Sequence, residues 1–250
     1  MKKLMGIFLM LMLCLAGTQA YAGTITLQDN SIYWPGWAST TIGSTDNSTD
    51  AIGHPNISQG TATISNGYLT QFTFNVSGIA GDVHAGDLFI DSDGDGTWNY
   101  IVNLLVGNGT GTGFTIGNNA LYSISPLPLG GPGYTNSYDS NGYNAYRENH
   151  PVAYDPSSYL QLSSGILSGF DLSTGWSPAT TQTFNFGAQN ILLGTQFTIG
   201  WTQQCANDVY YETFTNPVPE PASMLLMGSG LIGLAGWGRR RFFKKGAVAA

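Results

Sequence analysis

In the segment Tyr68–Ser77, Phe72, Phe74 and Val76 alternate with Gln71, Thr73 and Asn75. A period of two separates apolar from polar side chains on the two faces of a pleated strand; a helix would mix them. Shorter stretches of the same kind recur at 24–27, 88–90, 98–106, 183–186, 196–202 and 209–214, with Phe197, Ile199 and Trp201 in phase. Clusters of Gly, Asn and Asp bound them, as tight turns between strands require. No segment between the two chain ends sustains a helical period. The pattern predicts an all-β fold, a jelly-roll-like β-sandwich in one domain, residues 23–216. Two stretches are expected to run as long surface excursions. Residues 36–60 are rich in Ser, Thr, Asp and Asn, and 127–156 hold Gly130-Gly131-Pro132-Gly133 with Tyr134, Tyr138, Tyr143, Tyr146 and Tyr154.

The chain ends follow different rules. Met1-Lys2-Lys3 precedes an apolar run from Leu4 to about Ala16, and Ala20-Tyr21-Ala22 is a small-x-small cleavage site. This order predicts a secretory signal peptide over 1–22 and a mature chain starting at Gly23. At the other end, Val218-Pro219-Glu220-Pro221 precedes the uncharged stretch 222–237, then Arg239-Arg240-Arg241 and Lys244-Lys245. As a helix the stretch would be roughly 24 Å long, a borderline span for a ~30 Å hydrocarbon core. The basic cluster belongs on the cytoplasmic side and Trp237 at the interface. The two prolines keep the preceding segment extended. Hydropathy alone fits a permanent transmembrane helix and a transient, processed one equally well.

Pro-Glu-Pro ahead of a glycine-containing span and an arginine cluster resembles the PEP-CTERM sorting domain of exosortase-dependent bacterial surface proteins, over 217–245. The resemblance implies export in a Gram-negative bacterium, a transient stay in the inner membrane, and recognition by exosortase. It also implies removal of the tail near the motif. The destination it implies is the cell surface or an extracellular exopolysaccharide (biofilm) matrix. Cys205-Ala206-Asn207-Asp208 and Asp93-Gly94-Asp95-Gly96-Thr97-Trp98 are loosely similar to segments of the same group.

Charge is distributed unevenly. Seven of the eight Lys and Arg lie in the targeting ends; the body keeps Arg147 against fourteen acids, Glu220 being in the tail. The body's formal charge is therefore about −13, against −7 for the whole chain. Phosphate neutralisation needs Lys and Arg, so nucleic acid is excluded as a partner. Divalent cations and neutral polysaccharide suit such a surface. Cys14 leaves with the signal peptide, and Cys205 alone cannot form an internal disulfide.

Asp91, Asp93 and Asp95 in Asp91-Ser92-Asp93-Gly94-Asp95-Gly96 stand at the spacing that opens a calcium loop, where a tight turn converges hard oxygen ligands. Asp87 or Asn99 could add ligands. The twelfth position is Val102, not the bidentate Glu of an EF-hand, and the flanks read as strands. An acidic hairpin turn, with Asp-Gly pairs supplying positive φ, explains the same residues. Catalytic groups are sparse. Cys205 has no local signature pairing it with His54, His84 or His150. The body's glutamates are Glu148, in Arg147-Glu148-Asn149-His150, and Glu212. Trp34, Trp37, Trp176 and the loop tyrosines could stack on sugar rings. The expected function is a non-enzymatic structural or adhesive surface protein. The alternatives are a calcium-stabilised carbohydrate-binding module and a secreted polysaccharide-active enzyme.

Overall fold

The computed structural model of the chain describes residues 22–29, 56–77, 84–107, 114–128, 134–136, 151–173, 179–187, 189–203 and 208–216, together with Gly230. Residues Ala22–Asn216 form a compact unit of their own. Apart from Ala22 and Gly230, the predicted signal peptide (1–22) and the tail lie outside the described residues.

The unit is built from strands: β1 (Ala22–Gln28), β2 (Asn56–Ser65), β3 (Tyr68–Ser77), β4 (Leu88–Asp91), β5 (Thr97–Gly107), β6 (Phe114–Pro128), β7 (Tyr134–Asn136), β8 (Pro151–Tyr154), β9 (Leu160–Ser164), β10 (Thr181–Asn185), β11 (Ile191–Leu192), β12 (Gln196–Thr202) and β13 (Val209–Thr215). The first sheet has the order β1-β2-β3-β10, with β11 also on β3; the second has the order β13-β12-β4-β5-β6-β9. All pairings are antiparallel. The expected sandwich is present, but its strand order differs from a jelly roll. β1–β3 and β4–β6 are sequential hairpins that each stay within one sheet, whereas jelly-roll strands alternate between sheets.

Alternation explains the packing. Phe72, Phe74 and Val76 point inward with Ala62 and Ile64 of β2, and meet Phe197, Ile199 and Trp201 of β12 and Tyr210 and Phe214 of β13. Phe74 stacks on Trp201 at 4.8 Å, and Phe72 meets Phe214 edge-on at 5.6 Å. Beyond β9 the chain crosses to the first sheet. Asn185 N–H donates to Ile166 O at 2.8 Å and Ser168 N–H to Thr183 O at 3.0 Å, joining the two sheets along one side. Such a link leaves less open edge for stray pairing.

The second sheet is apolar on its other face too. Phe89, Trp98, Ile101, Ala120, Tyr122 and Val209 form a separate cluster there, capped by Tyr134. Tyr134 comes from the ribbon β7–β8, and its hydroxyl donates to Pro128 O at 2.6 Å. The stretch 127–156 is therefore not a plain surface excursion: Val152 and Ala153 are fully buried and pack on Leu105. The other stretch is corrected as well, since residues 56–60 are the first half of β2. In 151–154 the apolar residues run consecutively and in 56–60 Ile57 stands alone, so neither stretch shows a period of two.

One buried carboxylate fastens the ribbon to the sheet. Asp87 Oδ1 accepts the N–H groups of Leu104 and Leu105 at 2.7 and 2.9 Å, at a bulge in β5. Its Oδ2 accepts Tyr154 N–H at 3.0 Å and Asn103 Nδ2 at 3.4 Å. Burial pushes this carboxyl up to about 7, while the four donors pull it back.

The outward face of the first sheet is polar throughout its centre. Thr26, Thr61, Thr73 and Thr183 lie in register across four strands. Thr24, Thr63, Gln71 and Asn185 flank this row on one side; Gln28, Gln59, Asn75 and Thr181 flank it on the other. No residue in the five strands of this sheet is charged.

Candidate functional site

β4 ends at Asp91 and β5 begins at Thr97, so the acidic segment is the hairpin connection between them. Asp91 is itself a strand residue, opposite Thr198 of β12, and is 1% exposed. Its carboxylate organises the turn: Oδ1 accepts Gly94 N–H at 2.7 Å and Oδ2 accepts Gly96 N–H at 3.0 Å. Gly94 and Gly96 have φ of 72° and 85°, a region that suits glycine. Asp95 Oδ1 accepts Thr97 N–H at 2.8 Å and Thr97 Oγ1 at 2.6 Å. Asn99 Oδ1 accepts Ser92 N–H at 2.6 Å and Ser92 Oγ at 3.0 Å.

The turn brings the three acids together. One carboxylate oxygen from each of Asp91, Asp93 and Asp95 lies within 4.8 Å of the others. Asp93 and Asp95 are exposed, so the cluster opens to solvent above a buried base. Burial raises the Asp91 carboxyl above the usual carboxylate range, and Asp93 raises it further, against the pull of two backbone N–H groups. The same charge reaches Tyr211, whose phenol is pushed up to about 12 by burial and by Asp91. Convergent carboxylate oxygens on a fixed turn are suitable donors for a hard divalent cation.

Residues remote in sequence support the loop from below. Gly194 N–H donates to Ser92 O at 2.8 Å, and a Cβ at Gly194 would come within 3.0 Å of Asp93 Cα. Asn216 Nδ2 donates to Gly194 O at 2.9 Å and Asn216 N–H to Thr195 O at 2.9 Å. The last residue before the tail thus holds the turn that holds the acidic loop. No spacing rule in the sequence marks Gly194 or Asn216 for this role.

The two further ligand candidates have other partners. Asp87 spends its oxygens on β5 and β8, as described above, and Asn99 turns its oxygen toward Ser92. Glu212 is half-buried on β13 opposite Ile199, and His84 is half-buried ahead of β4. Among the described residues neither belongs to a group that could hold a metal ion; Asp91, Asp93 and Asp95 do. Tyr134 is 9% exposed and Tyr154 packs against it at 5.2 Å, so these two rings serve the ribbon's core. Cys205, His54, His150, Arg147, Glu148, Trp34, Trp37, Trp176, Tyr138, Tyr143 and Tyr146 lie outside the described residues. So do Val218, Pro219, Glu220 and Pro221 and the cluster Arg239-Arg240-Arg241. Among the described residues no helix is long and apolar enough to cross a membrane, and of the 222–237 stretch they include Gly230 alone.

No curated protein and no solved structure matches this chain. Residues 217–241 match the family model described as the PEP-CTERM protein-sorting motif, beginning at the residue after Asn216. The chain therefore carries a PEP-CTERM protein-sorting motif, and by that motif it is an exosortase-sorted, exported surface protein.

Proposed function

We propose that the folded body is a non-catalytic structural or adhesive component of an extracellular polymer layer, the exopolysaccharide or biofilm matrix of a Gram-negative bacterium. The observation that carries this reading is the sorting motif at 217–241, which directs the body outward. Its partners in transit are the inner membrane and exosortase. The body's composition supports the reading: one arginine against fourteen acids gives no means of gripping nucleic acid, while keeping the protein soluble outside the cell. The two-sided burial of the second sheet favours a rigid module.

A second reading has its own support. The oxygens of Asp91, Asp93 and Asp95 converge within 4.8 Å, which favours a calcium-stabilised carbohydrate-binding sandwich. A polysaccharide-active enzyme would rest on Glu212 and Glu148, of which Glu148 lies outside the described residues.

Fractionation of a producing biofilm tests the first reading. The expected result is protein in the polysaccharide-bound extracellular fraction, shifted to the cell fraction when Pro219-Glu220-Pro221 is replaced by alanines. Equal distribution of the two proteins would overturn it.

A further inference from the structure

We infer that the outward face of the first sheet is a docking surface for an uncharged, hydroxyl-rich polysaccharide chain. The inference rests on the polymer-layer reading and names the surface through which the polymer is held.

The body carries a formal charge of about −13, yet the sheet presenting this face has no charged residue in any of its five strands. A solvent-facing sheet surface ordinarily mixes charges into its polar positions. Here the central row is Thr26, Thr61, Thr73 and Thr183, and the flanking rows are hydroxyl and amide groups. Adjacent strands stand roughly 4.8 Å apart, so the row offers a hydroxyl at intervals on the scale of one sugar residue. Hydroxyl and primary amide groups both donate and accept, as sugar hydroxyls do.

The side chains are already aligned. Thr26 Oγ1 and Thr61 Oγ1 lie 2.9 Å apart, and Gln28 Nε2 donates to Gln59 Oε1 at 3.4 Å. Cross-strand pairing of this kind limits rotamer freedom and lowers the entropy cost of binding. At one end of the face Tyr68 stands opposite Leu192, which is 59% exposed, and supplies a ring for stacking.

Charge selects the occupant. A polyanion would meet the repulsion of the acidic body, and a polycation would find its partners on the acids outside this sheet. A neutral polyhydroxylated chain meets neither obstacle. Contacts of this type are individually weak, and many copies along one polymer would act together.

The test is affinity electrophoresis of the exported protein, recovered from a host that carries an exosortase. The gels contain hydroxyethyl cellulose, galactomannan, dextran or alginate. The expected result is retardation by at least one of the three neutral polymers and none by alginate. The double variant Thr61→Glu/Thr183→Glu should bind at least ten-fold more weakly. The isosteric Thr61→Gln/Thr183→Gln, which keeps the face uncharged, should stay within about three-fold of wild type, and thermal melting of both shows whether the sandwich is intact. If the glutamate pair fails to fold, loss of retardation in Tyr68→Ala/Gln71→Ala takes its place. Retardation that persists in the folded glutamate variant overturns this surface assignment and leaves the polymer-layer reading standing. Absence of retardation by every polymer, together with absence from the matrix fraction, overturns both. Ice shaping, or self-association in size-exclusion chromatography, abolished by the glutamate pair without any polymer binding would assign the face to ice or to a second copy, and so overturn the inference.

Discussion

Gly60 lies directly beneath Tyr210: a Cβ built on Gly60 would stand 2.5 Å from the Tyr210 hydroxyl and 2.6 Å from Phe72 Cζ. The sheets approach here only because β2 lacks a side chain at this inward position. Gly60→Ala should therefore overpack the core by about 1–3 kcal/mol. For a body of this size that lowers Tm by roughly 2–10 °C. Tyr210→Phe, which removes the offending oxygen, should recover part of the loss in the double variant. Equal melting temperatures for wild type and Gly60→Ala would contradict the packing described.

Calcium should stabilise the body through the β4–β5 turn. A ligand that binds the native state alone, at a hundred times its Kd, adds about 2.7 kcal/mol, or roughly 5–10 °C in Tm for this size. Asp93→Asn/Asp95→Asn should abolish the increment while leaving the melting temperature in chelator almost unchanged, because both side chains are exposed. The increment should also shrink in acid, because the raised Asp91 carboxyl takes up a proton in competition with the ion. Superimposable melting curves in calcium and in chelator would remove the ion from this site.

The strands most legible in the sequence are those that keep apolar and polar residues on opposite faces, whether the polar face is wet, as in β3, or covered, as in β12. Tyr68–Ser77 is found residue for residue because its outward side stays polar, and Gln196–Thr202 because Phe197, Ile199 and Trp201 keep their phase. β6 escapes notice because Gly117-Asn118-Asn119 breaks the alternation. Asn119 sits at φ of 50°, and its side chain binds the backbone of Leu167 from both Oδ1 and Nδ2, at 2.7 and 2.8 Å. That role depends on a residue far along the chain. The β7–β8 ribbon is missed for a related reason. Tyr134 looks like a loop tyrosine until the second sheet is known to need a cover on its outer face. The acidic triad is local, so its i, i+2, i+4 spacing is enough to find it. Asp87 is not local: its donors come from Leu104, Leu105 and Tyr154, and nothing near it in sequence separates a buried clip from an ion ligand.

Asp87 should make stability pH-dependent. Its carboxyl is raised from 3.8 to about 7 in the folded state, so the native protein binds the proton more tightly than the unfolded chain. The Asp87 contribution is therefore most favourable below about pH 4 and is lost as pH rises through about 7. By linkage the change is no more than about 4 kcal/mol, a net figure in which the four hydrogen-bond donors already offset part of the burial. Asp87→Asn should flatten stability between pH 4 and 7. It should also lower stability at the acid end, because an amide nitrogen facing Tyr154 N–H places two donors against each other. Chemical denaturation at pH 4.5, 6 and 7.5 checks both signs, and an unchanged pH slope in the variant would show that Asp87 does not titrate in this window.

Processing of the tail should change the protein's charge as well as its length. Removal of the predicted signal peptide would take Lys2 and Lys3, and the five C-terminal basic residues lie beyond Pro221, so with cleavage near the motif Arg147 would be the remaining Lys or Arg. Mass spectrometry of the exported protein should show a chain starting at Gly23 and lacking Arg239-Arg240-Arg241. Isoelectric focusing should place it well to the acid side of the pI of about 4.6 given by the full sequence. Pro219→Ala/Pro221→Ala removes the two prolines of the sorting motif, whose fixed φ disfavours a helix at that point of the sequence. That variant should retain the tail and stay with the membrane fraction. Recovery of the intact basic cluster on wild-type protein at the cell surface would instead make the 222–237 stretch a permanent anchor.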